Sequence, residues 1–426
     1  MIRVLQRLRF QAVLALDRGV QTCVRSLSCL GIWLPASLMS ALLSYAITGR
    51  LMRSSLGLAA QGRRVILVTG TNGKTTTTAL LVAALGGTVA TNPGNHNFFC
   101  GLLHTLLSSS AETVVLEVDE LWLPDVLRWL TPELLLVLNV LEDAWLRTPS
   151  PRFVIDHWRP ALNVLRTTVL AWSDDPGLVA LFGDQPVHWL AQLEASPSAA
   201  LAQLCPACAG ILRLKGQNWS CSCLIQHPTR VESLASIWTL SSDGARLVPP
   251  PRSRLPALAI EPGLAGRING LNAAFAAAAA LLLGEEPVAV EQRLHRFNHL
   301  SLRDDVYELA GRDVRLLVAK NAVAWQALQD RLEGYSGLIL LQQQSAATVD
   351  LSWLYDVPVE PLRGHCVGVC GKHALDLAVW LTYSQVDFIT AVDPRDLVRR
   401  MPAGELLCIS DLLGAYYVQS LAESRV

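Results

Sequence analysis

The sequence predicts an α/β protein: a doubly wound central domain carrying a small insertion, followed by a smaller α/β domain. Three observations carry this. Short Val- and Leu-rich runs recur along the chain, as parallel strands buried on both faces must read. Helix-like segments alternate with them. Between the first such strand and its helix lies the glycine loop Gly70-Thr71-Asn72-Gly73-Lys74-Thr75-Thr76. A chain of 426 residues is too long for one simple core, and two or three domains are expected.

From the N-terminus, Leu27 to Ile47 runs without a charge between Arg25 and Arg50, long enough to span a bilayer. Pro35 and several serines lower its hydrophobicity, and no small-residue cleavage site follows, so a signal peptide is not expected. It reads as an apolar helical hairpin packed on the first domain, with a membrane-touching or spanning helix as the alternative. Residues 1–54 are set apart as this N-terminal segment.

The strand–loop–helix "RRVILVTGTNGKTTTTALLVAAL" (63–85) opens the central domain, and "ETVVLEVDE" (112–120), "ELLLVLNVL" (133–141) and "TTVLAWSDD" (167–175) supply further strands. The stretch 195–256 lacks a clean βα rhythm and reads as an insertion. An Ala-rich helix, "GRINGLNAAFAAAAALLLG" (266–284), follows. From about 299 a smaller domain begins, with strands expected at 314–321, 336–344, 365–371 and 405–410.

Apolar residues make up 51% of the chain and charged ones 17%, with a formal net charge of −1. That balance leaves no electrostatic footprint for nucleic acid. Ten cysteines are too dilute for a disulfide scaffold, and a reducing cytoplasm fits better. Four of them cluster as Cys205-Pro-Ala-Cys208 and Cys221-Ser-Cys223. Four thiolates at that separation can close a tetrahedral zinc site, but the second pair is one residue short of the usual knuckle. Taken alone, the cluster leaves zinc and four ordinary thiols equally open.

The glycine loop is the strongest chemical signal. Its glycines let backbone N–H groups converge on phosphate at a helix N-terminus. Lys74 can reach the terminal phosphates, and the Thr75 hydroxyl can hold magnesium. Strict Walker spacing would need glycine at 68, where Val68 stands. The shorter string TGTNGKTT resembles the phosphate loop of the Mur ligase superfamily. Three later stretches resemble its MurT-type branch: "EVDE" (117–120), the four cysteines, and "DLSWLYDVPVE" (350–360).

The resemblance implies a P-loop Mur ligase central domain over 55–298, with a zinc ribbon at about 200–228, and a Rossmann-like C-terminal domain over 299–426. It implies ATP, Mg²⁺ and a structural Zn²⁺ as cofactors, with the zinc on Cys205, Cys208, Cys221 and Cys223. Glu117 joins Thr75 as a magnesium ligand. Asn272 matches an adenine-contacting asparagine, and Arg303 reaches the nucleotide from the C-terminal domain. Asn92, Asn97, Asn139, Asp143, Lys320 and Asn321 match further family positions.

The implied activity is ATP-dependent amidation of the D-Glu α-carboxylate of the lipid II stem peptide, through an acyl phosphate. Ammonia would come from a GatD-like glutamine amidotransferase subunit, whose Cys-His pair is completed by Asp350 or Asp356, with Asp350 preferred. A lipid-linked substrate would place the chain in the cytoplasm at the inner face of the membrane. Departures from the family pattern, among them two arginines missing from "GKHALDLAVWLTY" (371–383), keep two alternatives in view. One is an amino-acid ligase without a glutaminase; the other is a non-catalytic nucleotide-binding regulator of wall synthesis.

Overall fold

The computed structural model describes residues 55–92, 96–143, 150–183, 185–192, 205, 208–215, 218–223, 236–261, 263–264, 266–298, 300, 302, 304–343 and 351–423. The apolar run 27–47, Arg303 and Asp350 lie outside them. The chain divides into two compact units. One takes the chain up to Val140, Arg152–Glu261 and Gly270–Arg296. The other takes Leu141–Pro151, Pro262–Asn269 and Phe297–Val426.

The first unit begins β1 (Arg64–Thr69), α1 (Lys74–Leu85), β2 (Val89–Thr91), α2 (Phe99–Ser108), β3 (Thr113–Glu117), α3 (Leu123–Trp129) and β4 (Leu134–Val137). It continues α4 (Pro151–Leu162), β5 (Thr168–Trp172), α5 (Pro176–Phe182) and β6 (His188–Gln192). A small hairpin of β7 (Arg213–Lys215) and β8 (Asn218–Ser220) precedes β9 (Ile237–Leu240), β10 (Arg246–Val248) and β11 (Leu258–Ala259). Helices α6 (Arg267–Leu282) and α7 (Pro287–His295) complete the series.

The main sheet has the order β11-β10-β9-β6-β5-β4-β1-β3-β2. Its strands pair in parallel from β2 to β9, and β10 and β11 add in antiparallel fashion. Strand β1 lies inside the sheet, so Ile66, Leu67 and Val68 are fully buried whichever face they point to, which explains their unbroken apolar run. Helix α6 buries Ala273, Ala274 and Ala276–Ala280 completely. Alanine is the strongest helix former and lets neighbours approach closely on every side.

The reading of 195–256 as one insertion is corrected here. Strand β9 pairs with β6, and β10 and β11 extend the same sheet, so residues from Ile237 onward belong to the main layer. These strands are two to four residues long, and the prolines 249–251 follow β10, so their periodicity is too brief to read.

The second unit holds β12 (Asp304–Leu309), β13 (Arg312–Val318), α8 (Ala322–Gln326), β14 (Gly337–Leu341), β15 (Cys366–Cys370) and α9 (Ala374–Tyr383). It ends with β16 (Phe388–Thr390), α10 (Pro394–Arg400), β17 (Leu406–Ser410) and α11 (Leu412–Glu423). The sheet order is β12-β13-β17-β14-β15-β16, parallel except for the β12–β13 hairpin. Its two faces carry separate cores. Leu338 and Leu340 enter one with Val367, Val369 and Leu407, while Ile339 and Leu341 enter the other with Cys370, Leu406 and Cys408. This alternation is the two-residue strand period acting within a run that is apolar throughout.

Trp325 and Trp380 meet edge to face in the first of these cores, ring centres 6.0 Å apart. Both are almost wholly buried. Trp380→Ala is expected to destabilise the second unit by about 3–5 kcal/mol, because the cavity cannot fully collapse. Denaturant unfolding of the variant beside the wild type measures it; a loss below about 1 kcal/mol would mean the pair is not a core contact.

Candidate functional site

Strand β1 delivers the chain to Gly70 at the carboxyl edge of the parallel sheet. Gly70 (φ 137°) and Gly73 (φ 85°) occupy backbone conformations that L side chains rarely adopt. Space confirms the requirement. A Cβ on Gly70 would lie 2.9 Å from the Asn139 backbone nitrogen, and one on Gly73 would lie 2.5 Å from Asn272 Oδ1. Helix α1 starts at Lys74 directly after Gly73, so its unpaired N–H groups face the loop.

Asn139, just past β4, clasps the loop. Its Oδ1 accepts from Asn72 N at 2.9 Å, its Nδ2 donates to Asn72 O at 3.1 Å, and its carbonyl accepts from Thr71 N at 3.0 Å. Asn272 on α6 is buried, and its Oδ1 accepts from the Thr77 hydroxyl at 3.2 Å. Thr76 sits half-buried in the first turn of α1. Asn269 falls inside α6, which begins at Arg267, and does not precede the helix as a cap would.

Three acids stand at the end of β3 and just beyond it: Glu117, Asp119 and Glu120. Glu117 is 2% exposed, and its Oε2 accepts from the Thr75 hydroxyl at 2.8 Å while Oε1 accepts from Asn97 Nδ2 at 2.9 Å. Asn92 holds the Glu117 backbone on both sides, accepting from its N–H at 2.8 Å and donating to its carbonyl at 3.0 Å. The two asparagines are therefore supports for an acid. Thr75 and Glu117 bring together a hydroxyl and a carboxylate, the hard oxygens that magnesium requires, so the donor set fits that ion.

Glu120 was not singled out by sequence reasoning. Its Oε2 lies 3.0 Å from Lys74 Nζ, with side-chain exposures of 3% and 8%. Lys74 also donates to the carbonyls of Gly70 and Thr71. Burial disfavours the charged ammonium, but the carboxylates of Glu120, Glu117 and Asp119 outweigh it and hold the lysine pKa above its ordinary value. The only sequence signal for Glu120 was its place in the EVDE string.

Asp175, at the end of β5, supports the same loop from behind. Its Oδ2 accepts from Val140 N at 2.6 Å, next to Asn139, and its Oδ1 accepts from Gly177 N at 2.7 Å as the cap of α5. Burial raises its pKa to about 6 against the opposing pull of these N–H groups.

The four cysteines converge. All four sulfurs lie within 4.8 Å of one another, with Cys205 and Cys223 at 3.6 Å and Cys208 and Cys221 at 3.3 Å. Tetrahedral zinc thiolates stand about 3.8 Å apart, so the donor set fits such an ion. The first knuckle is closed by Cys205 N donating to Gly210 O at 2.7 Å and Gly210 N donating to Cys208 Sγ at 3.4 Å. The Cys223 backbone N–H, helped by the neighbouring thiols, lowers the Cys221 pKa to about 6. Beneath the sulfurs, Cys205, Leu212, Trp219 and Cys221 form a small core against Val179.

In the second unit, Lys320 Nζ meets Asp143 Oδ2 at 2.8 Å, and Asn321 Nδ2 meets the other oxygen at 3.3 Å. Asn321 also caps α8 by accepting from Ala324 N at 2.9 Å. Asp356 is exposed at the end of a single 3₁₀ turn, Ser352–Asp356.

Residues 319–405 match the family model described as MurT ligase C-terminal. The lipid II isoglutaminyl synthase (glutamine-hydrolyzing) subunit MurT of Streptococcus pneumoniae is 28% identical over 332 residues, which cover 71% of this chain and 72% of that protein. The chain is similar to MurT subunits, and its C-terminal region matches their family model. Solved structures agree on the fold of this MurT-like chain. A pseudomurein peptide ligase type C from Methanothermus fervidus matches with a TM-score of 0.63 at 16% identity, covering 85% of this chain and 78% of that one. The MurF ligase from Thermotoga maritima, solved in complex with ADP, matches with a TM-score of 0.61 at 18% identity, covering 89% and 83%. Those relatives are named as subunits of a synthase, and the solved neighbours as ligases.

Asp175 makes a pH prediction for this site. Its folded pKa of about 6 lies above its ordinary 3.8, so the stability it contributes is complete below pH 3.8 and lost as pH rises through 6. The unfolding free energy of wild type relative to Asp175→Asn should fall by about 3 kcal/mol between those limits. Parallel urea titrations across pH 3.5–7 measure it, and a flat difference would place the carboxyl outside the buried site.

Proposed function

We propose that this chain is the synthetase subunit of a glutamine-hydrolysing amidation system acting on lipid II. The observation that carries the reading is that Lys74 and Thr75 open α1 right after the glycine loop, with Glu117 bonded to the Thr75 hydroxyl. The kinship with subunits named for that reaction supplies the substrate class.

In this reading, Gly70–Thr76 wrap the ATP phosphates with backbone N–H groups. Thr75 and Glu117 would hold the magnesium ion that accompanies the nucleotide and neutralises charge on its phosphates. Asn139 and Asn272 hold the loop in shape, and Arg303 is assigned to the nucleotide as the family resemblance implies. The stem-peptide D-Glu α-carboxylate attacks the γ-phosphorus, the bond to the ADP oxygen breaks, and an acyl phosphate and ADP result. Lys74 stabilises charge building on the transferring group. Ammonia then attacks the acyl carbon, phosphate departs with the bonding pair, and one proton is released to leave the amide.

The ammonia would come from a GatD-like glutaminase subunit. Asp350 or Asp356 would orient that subunit's histidine, and the exposure of Asp356 is compatible with reaching a partner. The domains assigned to these roles are residues 55–298 for the nucleotide and 299–426 for the partner. Among the described residues no helix is long and apolar enough to cross a membrane. A peripheral contact with the inner leaflet, using 27–47, is part of the proposal because the substrate is lipid-linked.

Reconstitution with a glutaminase subunit, amide-¹⁵N glutamine and lipid II should yield ¹⁵N-amidated stem peptide. Lys74→Ala should lower that rate by at least about a hundredfold. ATP turnover accelerated by an amino acid, without transfer of ammonia, would instead identify an amino-acid ligase.

Zinc on Cys205, Cys208, Cys221 and Cys223 would fold the small hairpin insertion and take no part in chemistry. Protein purified without chelator should contain about one equivalent of zinc, and Cys221→Ser should contain less than half of that. Metal content that does not differ between the two proteins would exclude the site.

A further inference from the structure

We infer that Glu120 is a placeholder for the ATP phosphates: it holds the Lys74 ammonium in the nucleotide-free protein, yields it when ATP binds, and thereby sets nucleotide affinity. The inference rests on the reading of residues 70–76 as a nucleotide site. It adds a positioning residue that neither the loop motif nor the magnesium pair includes.

Lys74 has three N–H donors, and the structure gives it three acceptors: Gly70 O, Thr71 O and Glu120 Oε2. A phosphate oxygen can engage the ammonium only by displacing one of them. The other two acids are occupied differently. Glu117 accepts from Thr75 and Asn97, and Asp119 Oδ1 accepts from Leu121 N at 3.1 Å. Glu120 is therefore the acid that meets Lys74 directly. It is also the acceptor whose charge a nearby phosphate would repel.

The two partners differ in what they can do when parted. Lysine is a point charge on a flexible stem and can swing to a phosphate. The Glu120 backbone is held, because its main-chain carbonyl accepts from Trp158 Nε1 at 2.7 Å and the indole is fully buried on α4. The exchange thus needs no movement of the Glu120 backbone, only a swing of the lysine ammonium. An almost fully buried ammonium that loses its nearest counter-charge is disfavoured, so the ion pair stabilises the empty site specifically. Every part of that stabilisation works against ATP.

Removing the carboxylate charge should therefore destabilise the empty protein and tighten nucleotide binding together. The test is calorimetric titration of wild type and Glu120→Gln with a non-hydrolysable ATP analogue and Mg²⁺, with melting curves taken with and without the analogue. Glu120→Gln should bind about tenfold more tightly, with a lower Tm when empty and a larger rise in Tm on binding. A merely structural role would lower Tm by the same amount in both states and leave Kd unchanged, and that result overturns the inference. Weaker binding by the variant also overturns it, since Glu120 would then serve the bound state. Should Glu120→Gln fail to fold, Glu120→Asp keeps the charge but shortens its reach, and must shift Kd in the same direction. If wild type itself binds no analogue, the nucleotide reading fails and this inference with it; if wild type binds and neither variant binds more tightly, only this inference fails.

Discussion

The first unit is organised around one buried positive charge. Lys74 opens α1 with its ammonium almost fully removed from water, a state that a protein interior accepts only when compensating charge and hydrogen bonds are built around it. Compensation comes from carbonyls of the lysine's own loop and from a carboxylate that immediately follows a neighbouring strand. The parallel pairing of β1 with β3 and β4 brings those groups together: it sets Glu117 beside Val68 and carries Leu138 and Asn139 just beyond Thr69. The sheet register is thus also the register of the site.

Around this charge the polar groups form a layered support. Asn92 and Asn97 fix Glu117, Asn139 fixes the loop backbone, and Asp175 fixes Val140 beside it. Each link is a hydrogen bond to a buried or part-buried group, where a lost partner leaves an unsatisfied donor or acceptor rather than an exposed one. Such networks keep a loop of two left-handed glycines in one shape before any ligand arrives. That preorganisation is what a phosphoryl-transfer site needs, since the protein's contribution there is positioning and charge.

The cysteine insertion follows a different logic. Among its described residues, Leu212 and Trp219 pack with the two buried cysteines, and Val179 of α5 lies against them. The four sulfurs converge beside that small cluster. The antiparallel pairing of β7 with β8 precedes Cys221 and Cys223, whose sulfurs meet those of the first knuckle.

Much of this was legible in the residues. Unbroken apolar runs announced the inner strands, the alanines announced α6, and the glycine spacing announced the turn that opens α1 at Lys74. Those signals are local: strand period, helix propensity and left-handed backbone are properties of a few consecutive residues. What the tertiary structure decided is which group meets which. Glu117 pairs with Thr75 while Glu120, three residues on, takes the lysine; Asn139 clasps a loop 67 residues away; Ile237–Leu240 joins the main sheet rather than the insertion. Those choices depend on strand order and register between distant segments, and no window of sequence contains them.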